Sequence, residues 1–341
     1  MKRLLPIAAA LAAVLALGAC GEKEDTVEPA GGQRQLTLML DYLPNPDHVG
    51  LYQSLADGSF ADANLDVEVQ VPSDPAAPLK LLQARKVDLA ISYEPELLIA
   101  RDKGAPLVSV AAIAQVPLTS LITLDGRRIR GPADLRGGRV GTAGIPYQTE
   151  YLTTILREAG VPRDSVEEIN VGFNLTPAML SRRVDATLGA FWNVEGVQLR
   201  REGRRPTIWR MEELGVPTYD ELILVAHKDT LAERGDEVRA FVQALGRGYE
   251  AARADPETAN DALVRAEPDL DRAFSLASVK ASLPVFFPED ESKPWGWLDP
   301  AAWDAYGRWM FENDLLGVRP RAGEVAITNE FLAGQGGQPA G

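Results

Sequence analysis

Leu79-Lys80-Leu81-Leu82-Gln83-Ala84-Arg85-Lys86-Val87-Asp88-Leu89-Ala90-Ile91-Ser92-Tyr93-Glu94-Pro95-Glu96 holds the pattern that decides the fold. An apolar helical segment, 76–83, gives way to a basic-Val-Asp step and a short strand, 89–92. A loop of aromatics and carboxylates follows. The same order returns further on: helix 177–181, Arg183-Val184-Asp185, strand 186–191, then Trp192-Asn193-Val194-Glu195. Two lobes, each with its own open sheet, produce this echo; a chance likeness of two common helix–strand units is the alternative. Ligands of open α/β sheets bind beyond the carboxyl ends of the strands, where both loops lie. A cleft shared by the lobes is therefore the expected site.

Outward from this echo, short apolar runs alternate with amphipathic segments, the mark of α/β architecture with open, mostly parallel sheets flanked by helices. Strands are expected at 36–40, 67–71, 89–92, 107–113, 139–142, 166–171, 186–191 and 222–227. Helices are expected at 47–57, 76–83, 96–103, 149–159, 177–181, 236–253 and 300–313. In the fourth of these, Leu152, Ile155, Leu156 and Ala159 form one stripe that stops at Gly160. The first lobe is expected to be discontinuous, 36–124 plus 222–333, around a second lobe at 125–221. The runs 119–124 and 222–227 would serve as hinge strands suited to closure around a ligand.

Several loops at the strand ends carry candidate ligand groups. In Leu40-Asp41-Tyr42-Leu43-Pro44-Asn45-Pro46-Asp47-His48-Val49-Gly50, two prolines delay the helix until Asp47, a good N-cap. Asp41, Tyr42, Asn45 and His48 are then held on a stiff loop, in ligand or packing roles. Gly141-Thr142-Ala143-Gly144-Ile145-Pro146-Tyr147 joins a strand to a helix, and Gly144 lets a ligand approach backbone N–H groups or simply makes a tight turn. Glu94, Glu195 and Asp220 close three further loops. A carboxylate beside aromatic faces suits a flat, amino-bearing heterocycle, because it accepts from an exocyclic amine and a ring N–H together. Tyr42, Tyr93, Tyr147 and Trp192 could stack on such a ring. Trp295, Trp297, Trp303 and Trp309 read as core.

The chain of 341 residues has one cysteine, Cys20, and a formal charge of −14. Disulfides, thiolate metal sites and a cysteine nucleophile are thereby excluded. So much acidity without a basic cluster disfavours nucleic acid as a partner. Neither HExxH nor GxSxG occurs, and nothing in the spacing calls for a cofactor or metal. Lys2 and Arg3 precede an apolar stretch too short to span a membrane, and Leu17-Gly18-Ala19-Cys20 follows. The arrangement resembles a bacterial lipoprotein signal, which implies removal of residues 1–19 and lipidation of Cys20; an ordinary secretory signal with a cysteine nearby by chance is the alternative. Residues 20–35 would tether the folded body to the extracytoplasmic face of the cell membrane, and 334–341 would form a disordered tail.

Residues 36–316 resemble a periplasmic-type solute-binding protein of an ABC importer. The likeness is strongest to the group of thiamine-pyrimidine (NMT1/THI5-like) and sulfonate or nitrate binders. It rests on LDYLPNPDHVGLY, SYEPELLIARDKGAPLVSVAAI, VPLTSLI, GTAGIPYQTEYLTTIL, VGFNLTPAML, GAFWNVEGVQL and GVPTYDELILVAH. The resemblance implies a type II two-lobe fold that closes on a small molecule and then docks on a permease with its ATPase, working as a monomer. It further implies that Asp41, Tyr42, Asn45 and His48 line the cleft from one lobe, and Asn193, Glu195, Tyr219 and Asp220 from the other. The group's fungal synthase has a cysteine-rich stretch where this chain has Val216-Pro217-Thr218-Tyr219-Asp220-Glu221, and a histidine where it has Glu96; both departures argue against synthase chemistry. The expected ligand is a hydroxymethyl- or formyl-aminopyrimidine. A sulfonate such as taurine, nitrate or riboflavin on the same fold, a pyrimidine-making enzyme and a ligandless envelope lipoprotein are the alternatives.

Overall fold

Strands that are buried on both faces read as nearly continuous apolar runs, and Leu89–Ser92 and Leu107–Ala114, each with a single serine, are buried at every position. A computed structural model of the protein describes residues 32–124 and 129–335. The signal, Cys20, most of the tether and the last six residues lie outside the described residues. The described residues form ten strands: β1 (Arg34–Met39), β2 (Leu65–Gln70), β3 (Leu89–Ser92), β4 (Leu107–Ala114), β5 (Thr119–Leu124), β6 (Arg139–Thr142), β7 (Glu167–Asn170), β8 (Ala186–Phe191), β9 (Pro206–Arg210) and β10 (Leu222–His227). They form two five-stranded sheets, ordered β2-β1-β3-β10-β4 and β7-β6-β8-β5-β9. In each sheet the fourth strand runs against its neighbours while the pairs on the other side are parallel. The fold is thus a two-lobe α/β fold, and the sheets share one topology.

The echo in the sequence is one structural device used twice. Arg85 and Arg182 both adopt the left-handed backbone after a short helix, with φ of 54° and 59°. The next residue's N–H returns to a carbonyl five positions back, Lys86 to Leu81 and Arg183 to Ala178, each at 2.9 Å. Val87 and Val184 are then buried. The following aspartate accepts the N–H of the neighbouring parallel strand, Asp88 from Thr37 at 2.8 Å and Asp185 from Arg139 at 2.9 Å. Each copy starts the third strand of its sheet and sets it against the second.

Several boundaries differ from expectation. Thr119–Leu124 pairs with β8 and β9, so it belongs to the second sheet, and the expected lobe boundary at 124 falls after a strand paired wholly there. The crossing lies before it, at Gln115–Leu118, and the return runs through Val216–Glu221. Asn45, not Asp47, caps the first helix: its Oδ1 accepts Asp47 N–H at 2.8 Å. Pro46 then opens a short turn, Pro46–His48, where its missing N–H does no harm, ahead of the helix Val49–Ala56. Edge strand β9, which starts on a proline and has no fully buried position, carries too little apolar signal to read from sequence. The helices Glu195–Arg201, Pro256–Ala266 and Arg272–Ser282 were also not expected. The last two are polar on the outside, and they add to the first sheet's side of the cleft.

Candidate functional site

The carboxyl ends of β1, β3, β6 and β8 converge on a cavity of about 530 Å³ between the sheets, a size ordinary for small-molecule sites. From the first lobe come the 41–46 loop, Tyr93 and the segment 269–274; from the second come 143–148, Leu175 and the stretch from Gly189 to Glu202.

Asp41 stands on the first lobe's wall and is 1% exposed. His48 Nδ1 takes the N–H of Asn45 at 3.2 Å, so its proton sits on Nε2 and is donated to Asp41 Oδ1 at 2.9 Å. Tyr93 OH donates to Asp41 Oδ2 at 2.8 Å. One donor on each oxygen orients the carboxylate and leaves acceptor capacity toward the cavity. His48 is thus a support behind Asp41 and does not line the cavity, while Asn45 lines it and caps the turn.

Glu195 opens the helix Glu195–Arg201 on the facing wall. Phe191 N–H donates to its Oε2 at 2.7 Å. Burial pushes its carboxyl up to about 7, against that bond and its own backbone N–H, which pull it down. Its position at the start of a helix also favours the charged form. Between the two carboxylates lie aromatic faces. Tyr93 and Tyr147 have ring centroids 5.5 Å apart, and Tyr42 meets Phe173 of the other lobe edge-on at 4.7 Å. Tyr42 OH also donates across the cleft to Gly172 O at 3.4 Å.

Six of the expected site residues line the cavity: Asp41, Tyr42, Asn45, Tyr93, Tyr147 and Glu195. The others do different work. Glu94 Oε2 accepts Asp220 N–H at 2.8 Å, and Trp303 Nε1–H donates to Asp220 Oδ2 at 2.7 Å, so both carboxylates serve the hinge. Tyr219 OH donates to Glu221 at 2.9 Å, and Glu221 also accepts from Leu118 N, Thr119 N and Thr119 Oγ1. That one buried carboxylate joins the two crossing segments. Trp192 lies under the Arg210 guanidinium, 4.1 Å from its ring centroid, and donates to Pro117 O. Asn193 faces Asp47. Gly144 has φ of +81°, and a Cβ there would meet Asn170 at 2.2 Å; it makes the turn and does not line this cavity.

Sequence reasoning missed Gln148, Gly189, Phe191, Gln198, Arg201 and Phe274 on the cavity wall. Gln148 Oε1 accepts Ala143 N–H at 2.8 Å, and its amide packs on Gly189, whose φ of +109° and lack of Cβ admit it. The signal for Gln148 lay in the GIPYQ run next to Tyr147. Phe274 had none, because its helix was not expected. Arg201 lies across the mouth from Asp271, at 3.9 Å. Among the described residues no cluster of acidic, histidine or cysteine side chains has metal-binding geometry, and no helix is long and apolar enough to cross a membrane.

A family profile described as "NMT1/THI5 like" matches residues 45–259. The formylaminopyrimidine-binding protein of Halalkalibacterium halodurans is 32% identical over 94% of this chain and 96% of its own. A putative thiamine biosynthesis protein of Haemophilus influenzae is 37% identical over 75% of this chain and 81% of its own. At 24% identity, over 62% of this chain and 63% of its own, stands the 4-amino-5-hydroxymethyl-2-methylpyrimidine phosphate synthase of Schizosaccharomyces pombe. Among solved structures, the alkanesulfonate-binding protein SsuA of Xanthomonas axonopodis pv. citri, bound to MOPS, superposes with a TM-score of 0.67. It covers 88% of this chain and 99% of its own at 17% identity, a likeness of fold.

Proposed function

The chain belongs to the NMT1/THI5-like family, and from that premise we propose that it is the extracytoplasmic receptor of an ABC importer, capturing a thiamine-precursor aminopyrimidine between its lobes. The observation that carries this reading is the pair of carboxylates, Asp41 and Glu195, on facing walls of an aromatic cavity. A hydroxymethyl- or formyl-aminopyrimidine offers a flat ring to the tyrosines and an amino edge to a carboxylate, the charge-assisted pairing that such a site rewards. Asp41, already held by His48 and Tyr93, positions the ring from one lobe; Glu195 takes the amino edge from the other. Binding then stabilises the closed lobes by mass action, about 2.7 kcal/mol at a hundredfold excess over Kd. Lipidation at Cys20 would hold the receptor at the membrane beside its permease, as a monomer.

An anionic cargo finds less support. Arg201 is the cation on the cavity wall, and Glu202, Asp269 and Asp271 stand near it at the mouth. Isothermal calorimetry with 4-amino-5-hydroxymethyl-2-methylpyrimidine, its formylamino analogue, thiamine, riboflavin, taurine and nitrate tests the reading. Saturable heat with an aminopyrimidine supports it; heat with taurine or nitrate alone would overturn it.

A further inference from the structure

Asn193 lies two residues before Glu195 and turns away from the cavity. Its Nδ2 donates across the lobes to Asp47 Oδ1 at 2.6 Å and to Ser282 Oγ at 2.7 Å. Ser282 Oγ is itself 2.9 Å from the same carboxylate oxygen, and Ser278 Oγ donates to the Asn193 carbonyl at 2.5 Å. All four residues are buried. Asp47 belongs to the Pro46–His48 turn and the serines to the helix Arg272–Ser282, both on the first lobe's side. The three bonds made by Asn193, to Asp47, Ser282 and Ser278, are the ones that join the lobes.

We propose that Asn193 is the positioning residue of closure: its bond to Asp47 makes shutting the lobes and placing Glu195 in the cavity one event. The pairing has a polarity, since a carboxylate must face the NH₂ side of the amide. Among the described residues no lysine or arginine pairs with Asp47 in place of that donor. His48, the one group of opposite sign near Asp47, is engaged with Asp41, and Asp41 and, from the second lobe, Glu195 both bring like charge. Tyr249 donates to the Asp47 backbone carbonyl, and Lys280, on the serine helix, pairs with Glu257. Burial accordingly pushes the Asp47 carboxyl up to about 7, and its Oδ2 has no partner. Much of the latch's strength therefore passes through one amide.

A polarity swap in the full chain tests this. Asn193→Asp sets two carboxyls face to face. Near pH 8 the affinity for 4-amino-5-hydroxymethyl-2-methylpyrimidine is expected to fall about 30-fold. Deuterium exchange in the unliganded protein should quicken at 189–195 and 278–282. Near pH 5.5 one carboxyl takes up a proton and donates to the other, so both defects should shrink. The double variant Asp47→Asn/Asn193→Asp rebuilds the pair with donor and acceptor exchanged. It should return affinity to within about threefold of wild type and restore slow exchange. Asn193→Ala, which adds no charge, should quicken exchange in the same two segments. An unchanged exchange pattern in Asn193→Asp, equal defects in the single and double variants, or uniform quickening over both sheets in Asn193→Ala would each overturn the proposal. Because exchange is read without ligand, its outcome stands apart from whether aminopyrimidine is the cargo.

Discussion

Glu94 opens the helix after β3 and Glu195 opens the helix after β8, each at the third strand of its sheet and each following the same Schellman turn, buried valine and aspartate staple. Locally the two glutamates are twins. Glu94 is closed in by the return hinge, where its Oε2 holds Asp220 N–H and its Oε1 has no partner. Burial and the neighbouring Asp220 carboxylate push its acid well up. Glu195 meets no such segment and opens on the cavity. The chain crosses back to the first lobe beside one copy only, so a duplicated unit yields one hinge clamp and one ligand group.

The sharpest way to break this contrast is calorimetry on two matched variants. Glu195→Gln is expected to lose about 30- to 100-fold in affinity for 4-amino-5-hydroxymethyl-2-methylpyrimidine, the usual size for a lost charged hydrogen bond. Glu94→Gln should stay within about threefold, because an amide imitates the protonated acid that its site favours. Equal losses would erase the distinction.

The aspartate staples come next in size. Asp88→Ala and Asp185→Ala should each destabilise the protein by about 1–2 kcal/mol in urea denaturation, since each strips the acceptor from a backbone N–H of a parallel strand. A difference between them larger than either effect would show that the two copies are not equivalent.

The pH dependence of stability sharpens the role of Glu195. Its folded-state acid titrates at about 7, above the ordinary carboxyl range, so the folded state binds the proton more tightly than the unfolded chain does. The stability this gives at acid pH is lost as pH rises through 7. Glutamine does not titrate. Glu195→Gln is therefore expected to melt a few degrees above wild type near pH 8, with the gap closing below about pH 4.5. A gap that widens toward acid would reverse the assignment. The smallest expected effect is a gain: Arg85→Gly or Arg182→Gly, at left-handed positions, should stabilise by up to about 1 kcal/mol in the same melts.

Much of this was legible along the chain. Strands at 89–92, 139–142, 186–191 and 222–227 were readable to the residue, because runs bounded by turn residues and buried on both faces leave a local signature. β5 was seen as a hinge yet assigned to the wrong sheet, since an apolar strand does not announce its partners. Asp41, Tyr93 and Glu195 were found as loop-end groups on the cavity. Gln148, beside Tyr147 in the GIPYQ run, was overlooked, and Phe274 was not visible because it reaches the cavity from a helix whose packing neighbouring residues do not encode.

By itself the sequence determined the doubled helix–turn–strand unit, its valine and aspartate, and the placement of polar groups at strand ends. Those follow from periodicity, turn chemistry and burial within a few residues. The tertiary structure alone decided which carboxylates see the cavity. Glu94, Asp220, Glu195 and Asp47 are all acidic residues in or beside the loops at strand ends, and whether each is covered by a distant segment or left open to the cavity is set far away in the chain. The identity of that distant partner comes from lobe geometry, which no local pattern carries.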